Sequence, residues 1–193
     1  MNYAPIRYNF IMATDSQNGH SLWFVPNQEA RSTLDSIIRE LARRLQAPVF
    51  VPHITLIPDV IGTTTEVLSH TQAIASSFTR FPITMEKIDF ITESLYQCLY
   101  VYCRPTPQLS QIVTTARHEF SRQDDPPHKP HISILYKQDT PDEIKKKLVE
   151  EFTPRIADLS FTASSIEIWT NGFPIENWTK VGEFPLSPKE KSP

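Results

Sequence analysis

The sequence is short of cysteine, has no long apolar run and lacks a basic stretch. Cys98 and Cys103 are its two cysteines in 193 residues. Five positions apart on one extended strand, they would lie roughly 16 Å apart and point to opposite faces, too far for a mutual disulfide. Free thiols fit a reducing compartment, and the missing disulfide framework argues against a small secreted domain. We therefore expect a cytoplasmic protein. No apolar run reaches the roughly 20 residues of a spanning helix, so no membrane span is expected. Residues 1–19 lack a basic segment followed by an apolar one, so they do not read as a secretory signal. The formal charge is -3. A chain that grips a long nucleic acid usually carries a basic stripe, and none is visible. The longest basic run, Lys145–Lys147, is flanked by Glu143, Glu150 and Glu151 and reads as a solvated helix face. A nucleotide ligand should then be small, or a chain end.

What is present fits a globular chain. The residues are 39% hydrophobic and 21% charged, and the length suits one domain or two closely joined lobes. His20–Val25 reads as a strand that ends at Pro26. Asn27–Gln46 reads as a helix, with Leu34, Ile37, Ile38, Leu41 and Leu45 at spacings of three and four. Phe50–Val60 reads as a strand and Thr65–Phe78 as a helix. Phe81–Thr92 and Ser94–Arg104 read as strands around a tight turn near Glu93. Pro107–Arg122 predicts a third helix, Asp124–Lys129 a Pro-rich loop and Pro130–Lys137 a strand. Thr140 can cap a fourth helix through Phe152, with Pro141 at its first position. Thr162–Trp169 and Trp178–Pro185 predict strands around a turn at Asn171–Gly172. Trp169, Phe173 and Trp178 would close that hairpin against the core. We expect one domain over residues 20–186, an N-terminal extension over 1–19 and a frayed tail over 187–193.

One pattern occurs twice. Val51–Ile57 reads VPHITLI and Lys129–Leu135 reads KPHISIL, with His53 and His131 separated by 78 positions. Such a duplication predicts two similar lobes, each offering one strand to a shared cleft. Side chains at i and i+2 on a strand share a face. His53 and Thr55 should point together, as should His131 and Ser133, while Ile54, Leu56, Ile132 and Ile134 turn into apolar packing.

Two imidazoles and two hydroxyls suit the opening of a cyclic phosphate. One histidine can take a proton from water and the other can protonate the departing sugar oxygen. The hydroxyls can donate to the non-bridging oxygens as charge builds. His128 stands three positions before His131, but i and i+3 face opposite ways on an extended chain. No Cys, Asp or Glu cluster completes a tetrahedral set, so neither metal nor cofactor is expected.

At these residues the chain resembles the 2H phosphoesterase superfamily, named for two His-x-(Thr/Ser)-x motifs, here HITL at His53–Leu56 and HISI at His131–Ile134. It is similar in particular to the cyclic phosphodiesterase branch of fungi and plants, through SLWFVP at Ser21–Pro26, PHISILY ending at Tyr136, and the closing IWTNGFPIENWTKVGEFPL. The resemblance implies an α+β, bilobal fold with two antiparallel sheets facing a central cleft and helices outside. It implies hydrolysis of ADP-ribose 1″,2″-cyclic phosphate, a tRNA-splicing by-product, and of nucleoside 2′,3′-cyclic phosphates to 2′-phosphates, by a monomer acting on small molecules. By the same resemblance Trp23 and Tyr136 would flank the substrate, His131 would be the base and His53 the acid. Fungal relatives add a Golgi-associated location as an alternative. The competing readings are RNA-end processing, by 2′,5′-ligation or 3′-end trimming, and a non-catalytic nucleotide-binding module.

Overall fold

The computed structural model describes residues 19–188 other than Phe173. Its elements are β1 His20–Phe24, α1 Gln28–Leu45, β2 Ile54–Val60, α2 Thr64–Ser76, β3 Phe81–Asp89, β4 Leu99–Cys103, α3 Pro107–Glu119, β5 His131–Leu135, α4 Asp142–Ile156, β6 Ser160–Ala163, β7 Ser165–Thr170 and β8 Thr179–Pro185. The strands form one antiparallel sheet in the order β6-β3-β4-β5-β2-β1-β7-β8. The two expected sheets are its halves. They meet edge to edge at β2 and β5, through the registered pair Ile54↔Ile132. At the far side Ser187, beyond β8, pairs with Thr79 ahead of β3, so the sheet curls back on itself. Ser187 is thus held rather than frayed. Its N–H donates to Phe78 O at 2.9 Å, and its carbonyl accepts from Arg80 N at 3.0 Å. Residues 1–18 and 189–193, and Phe173, lie outside the described residues.

Local chemistry accounts for the helices. Leu34, Ile37, Ile38 and Leu41 of α1 are buried along one stripe, each contributing about 1.5–3 kcal/mol. Asn27 takes the N-cap position, but its amide reaches Thr162 O across the fold instead. α2 opens with a capping box between Thr63 and Glu66. α4 has Pro141 at its N-cap position, without a side-chain cap, and runs through Pro154 to Ile156. Thr140 bonds back to Lys137 O at 2.8 Å instead of capping it.

Packing departs from chain order. α1 follows β1 but lies on β5 and β6 beside α4, and α3 follows β4 but lies on β2 beside α2. The lobes are therefore stitched together by exchanged helices, and the unit β1-α1-β2-α2 repeats as β4-α3-β5-α4. The stretch Thr162–Trp169, read as one strand, breaks at Ser164. β6 pairs with β3 of one lobe and β7 with β1 of the other.

The connection between β3 and β4 is a loop over residues 90–98, not a tight turn at Glu93. α4 fastens it. Lys145 is 1% exposed, contrary to the solvated face expected. Its ammonium donates to Ile91 O at 3.4 Å and to Asp142 Oδ1 at 3.2 Å, 5.6 Å from the Phe90 ring. Asp142 in turn accepts from Thr92 Oγ1 at 2.6 Å. Cys98 belongs to this loop rather than to the strand. Its thiol turns inward to Lys137 O, so both cysteines join the core instead of facing opposite ways. Burial pushes the Cys103 thiol up to about 12.

Candidate active site

The two motifs meet at the seam. Ile54, Leu56, Ile132 and Ile134 are buried, as alternation requires. Extending the Ile54↔Ile132 register by one residue each way sets His53 opposite Ser133 and Thr55 opposite His131. The histidines are then diagonal neighbours on one face, with Cα atoms about 7–8 Å apart. A phosphate with one imidazole on either side fits that span.

The same face continues outward in two rows. One runs His53, Ser133, Tyr100, Asp89, because Ser133 pairs with Tyr100 and Tyr100 with Asp89. The other runs His131, Thr55, Trp23, Glu167 through the corresponding pairs. Each row carries an imidazole, a hydroxyl, an aromatic ring and a carboxylate. Sequence reasoning missed Tyr100, Asp89 and Glu167. Only the Leu-aromatic pairs Leu22-Trp23 and Leu99-Tyr100, which are 77 positions apart, could have pointed to part of this.

Both imidazoles are oriented alike. His53 Nδ1–H donates to Val51 O at 2.7 Å, and His131 Nδ1–H donates to Lys129 O at 2.7 Å. In the neutral ring each Nε2 then keeps its lone pair for chemistry. The sealing of the two rings differs. His53 is 7% exposed. It stacks on Trp23 with ring centroids 3.6 Å apart and planes 9° from parallel. His131 meets Tyr100 edge-on at 5.4 Å, and Gln97 Nε2 lies 3.4 Å from its Nδ1. Burial lowers both histidines, His53 to about 4; its Val51 bond opposes this and nearby His131 adds to it.

Burial of His53 makes stability depend on pH. The folded value of His53 lies below its ordinary 6.5, so between those values the unfolded chain binds more protons. Stability should fall as pH drops from about 6.5 to about 4 and flatten below, by on the order of 3 kcal/mol from His53. Urea unfolding at pH 7 and pH 4.5 checks this. His53→Gln should lose part of the difference, and an unchanged difference would remove His53 as a cause.

Trp23 is 2% exposed. Strand order sets it between His53, one residue ahead of β2, and Trp169 on β7, the latter at 4.9 Å. With both faces covered it cannot stack a base, which corrects its expected contact with substrate. Tyr136 lies one residue past β5 and is 4% exposed. It packs on Phe50 at 4.0 Å, with Trp178 at 5.9 Å. Burial raises its phenol, while a side-chain hydrogen bond with Ser133 of the second motif opposes this. Trp178 lies 5.8 Å from His53 and Trp169 stacks on Trp23, so these two line the site as well as the hairpin.

Thr55 is half-buried, and Ser133 Oγ donates to Tyr96 O. Ser133 must release that bond before it can donate to a phosphate. His128 is apart from this set. Its Nε2–H donates to Thr55 O at 3.0 Å, tying the loop ahead of β5 to the first motif. Among the described residues no three His, Cys, Asp or Glu side chains cluster as metal ligands, and no helix is long and apolar enough to cross a membrane.

A curled antiparallel sheet with paired His-x-(Thr/Ser) strands at its centre is the architecture of 2H phosphoesterases. Residues 22–172 match the model of the 2′-5′ RNA ligase superfamily, and the chain belongs to that family. Its expected activity is accordingly that of a phosphoesterase, a hydrolase of this family. It is 22% identical to a cyclic phosphodiesterase of Arabidopsis thaliana over 174 residues, covering 88% of this chain and 96% of that protein. Among solved structures it resembles TT0787 of Thermus thermophilus, with a TM-score of 0.65, 12% identity, and coverage of 89% of this chain and 100% of that one. It also resembles Escherichia coli LigT complexed with 3′-AMP, with a TM-score of 0.58, 14% identity, and coverage of 90% and 99%. LigT has also been solved with NADP+.

Proposed function

We propose that this protein hydrolyses small cyclic phosphodiesters: nucleoside 2′,3′-cyclic phosphates to 2′-phosphates, and ADP-ribose 1″,2″-cyclic phosphate to ADP-ribose 1″-phosphate. The observation that carries this is the diagonal pair of histidines, each with Nδ1–H fixed to backbone and Nε2 left for proton transfer. The water oxygen bonds to phosphorus as the P–O3′ bond of a 2′,3′-cyclic phosphate breaks. His131 takes the water proton, and His53 gives a proton to O3′. In-line displacement puts these oxygens on opposite sides of phosphorus, which suits two imidazoles set on diagonal positions. Both rings are held toward neutrality before substrate arrives. The phosphate's negative charge then favours protonation of the acid. Thr55 and Ser133 donate to the non-bridging oxygens.

The same reading makes the protein a monomer acting without metal in the reducing cytosol, on a by-product of tRNA splicing. The turnover experiment uses a 2′,3′-cyclic mononucleotide and ADP-ribose 1″,2″-cyclic phosphate in EDTA, with products resolved by chromatography. Both should be opened, and activity should survive the chelator, because His128 is bonded to backbone rather than turned to His131. Activity that vanishes in EDTA and returns with a divalent ion would overturn the metal-free route. Turnover of oligonucleotides alone would point to RNA-end processing, and binding without turnover to a non-catalytic module.

A further inference from the structure

We propose that Trp23 is a positioning residue that acts through His53, and that Trp169 and Glu167 hold it in place for that task. The proposal rests on the reading above, in which His53 transfers a proton.

An imidazole on a strand has two side-chain torsions, and one hydrogen bond leaves it free to rock about that bond. The Val51 carbonyl fixes His53 Nδ1. It does not fix the plane of the ring. The flat face of Trp23, 3.6 Å away and 9° from parallel, does. Together a point and a plane define where Nε2 lies.

The indole is itself constrained. Trp169 covers its other side at 4.9 Å and 19°. Trp169 Nε1–H donates to Glu167 Oε2 at 2.8 Å, and Glu167 is the cross-strand partner of Trp23. Lys180 Nζ lies 3.5 Å from Glu167 Oε1 and 2.8 Å from Glu183 Oε2, fastening the outer end to β8. β7, β1 and the residue that leads into β2 thus contribute one stack that ends on the reactive ring. His131, in the equivalent motif, has no stacked ring against it among the described residues: it meets the edge of Tyr100, and Gln97 Nε2 lies 3.4 Å from its Nδ1 and 3.5 Å from its Nε2. The two histidines match in sequence, and among the described residues only His53 lies flat against an aromatic face. A 1 Å misplacement of a reacting group can cost on the order of 10²-fold, so such a clamp is worth having at the group that protonates the leaving oxygen.

The titratable groups around His53 do not offer an alternative tether. His131 faces it from β5, Tyr136 reaches Trp178, which in turn meets the edge of the His53 ring, and Glu167, Lys180 and Glu183 stand behind the indoles on β7 and β8. None of them has a hydrogen bond to the His53 ring among the described residues.

The experiment compares Trp23→Leu, Trp23→Phe, Glu167→Leu and Glu167→Gln in the full chain. Steady-state kinetics uses a 2′,3′-cyclic mononucleotide, and NMR follows the His53 ring protons. Trp23→Leu should lower kcat by about 10–10²-fold with KM within about threefold. Trp23→Phe, which keeps a flat face, should recover most of it. Glu167→Leu should lower kcat in the same way, and Glu167→Gln, whose carbonyl can still accept the Trp169 N–H, should not. The upfield ring-current shift of His53 should shrink in Trp23→Leu and persist in Trp23→Phe.

A raised KM at unchanged kcat would mean that Trp23 touches substrate and would overturn the proposal. Unaltered kinetics in a folded Trp23→Leu protein would do the same. If Trp23→Leu does not fold, the Phe and Glu167 variants still decide the question. If the wild-type protein turns over no cyclic phosphate, the functional reading fails, while the NMR comparison still decides whether the stack sets the His53 ring.

Discussion

Replacing His53 or His131 with alanine should each lower turnover of a cyclic phosphate by about 10²–10⁴-fold or more. Thermal stability should change little for His131→Ala, whose ring reaches the cleft. For His53→Ala the change should be somewhat larger, because the Trp23 face loses its partner. The base must be neutral and the acid charged at once, so the rate should fall at both pH extremes in a bell. A substrate with an activated leaving group separates the roles. It needs no acid, so it should rescue His53→Ala and leave His131→Ala impaired. Rescue in the reverse pattern would exchange the two assignments. Full activity in the double variant would end the two-histidine mechanism.

Thr55→Ala and Ser133→Ala should keep the fold and cost on the order of 10²–10³-fold in kcat, the usual loss for one donor to a developing oxyanion. The two should differ. The Ser133 hydroxyl is already committed to the Tyr96 carbonyl, so part of its value is offset by breaking that bond. We expect Ser133→Ala at the lower end of the range and Thr55→Ala at the upper. Stopped-assay rates at saturating substrate, with folding checked by circular dichroism, measure both. Wild-type turnover in the two variants would mean that these hydroxyls face away from the phosphate.

Much of the candidate site is legible in the sequence because strand alternation is a local rule. His53 with Thr55, and His131 with Ser133, share a face in the sequence and in the structure, and the four intervening aliphatic residues are buried. Trp23 was misread for the same reason that it was noticed. An aromatic residue beside a motif can contact the ligand or the motif, and only the flanking strand decides which. Here β7 brings Trp169 onto the far face of the indole and closes it off. Lys145 was misread because three consecutive lysines among glutamates look solvated. The helix turns the first of them under Phe90, where Asp142 and the Ile91 carbonyl replace water.

By itself the sequence determined which residues are apolar at which period. That settled the helices, most strands, the duplicated motif and the pairing of each histidine with its hydroxyl. It could not determine which strand lies beside which, because a period reports that a face is buried and not what buries it. Tertiary structure therefore decided that Thr162–Trp169 divides between two lobes, and that α1 and α3 cross to the opposite half. It also decided that the motifs meet at one registered pair, Ile54↔Ile132. That pairing joins residues 78 positions apart along the chain. It brings the two imidazoles together on one face, where each motif alone could only supply half of the candidate site.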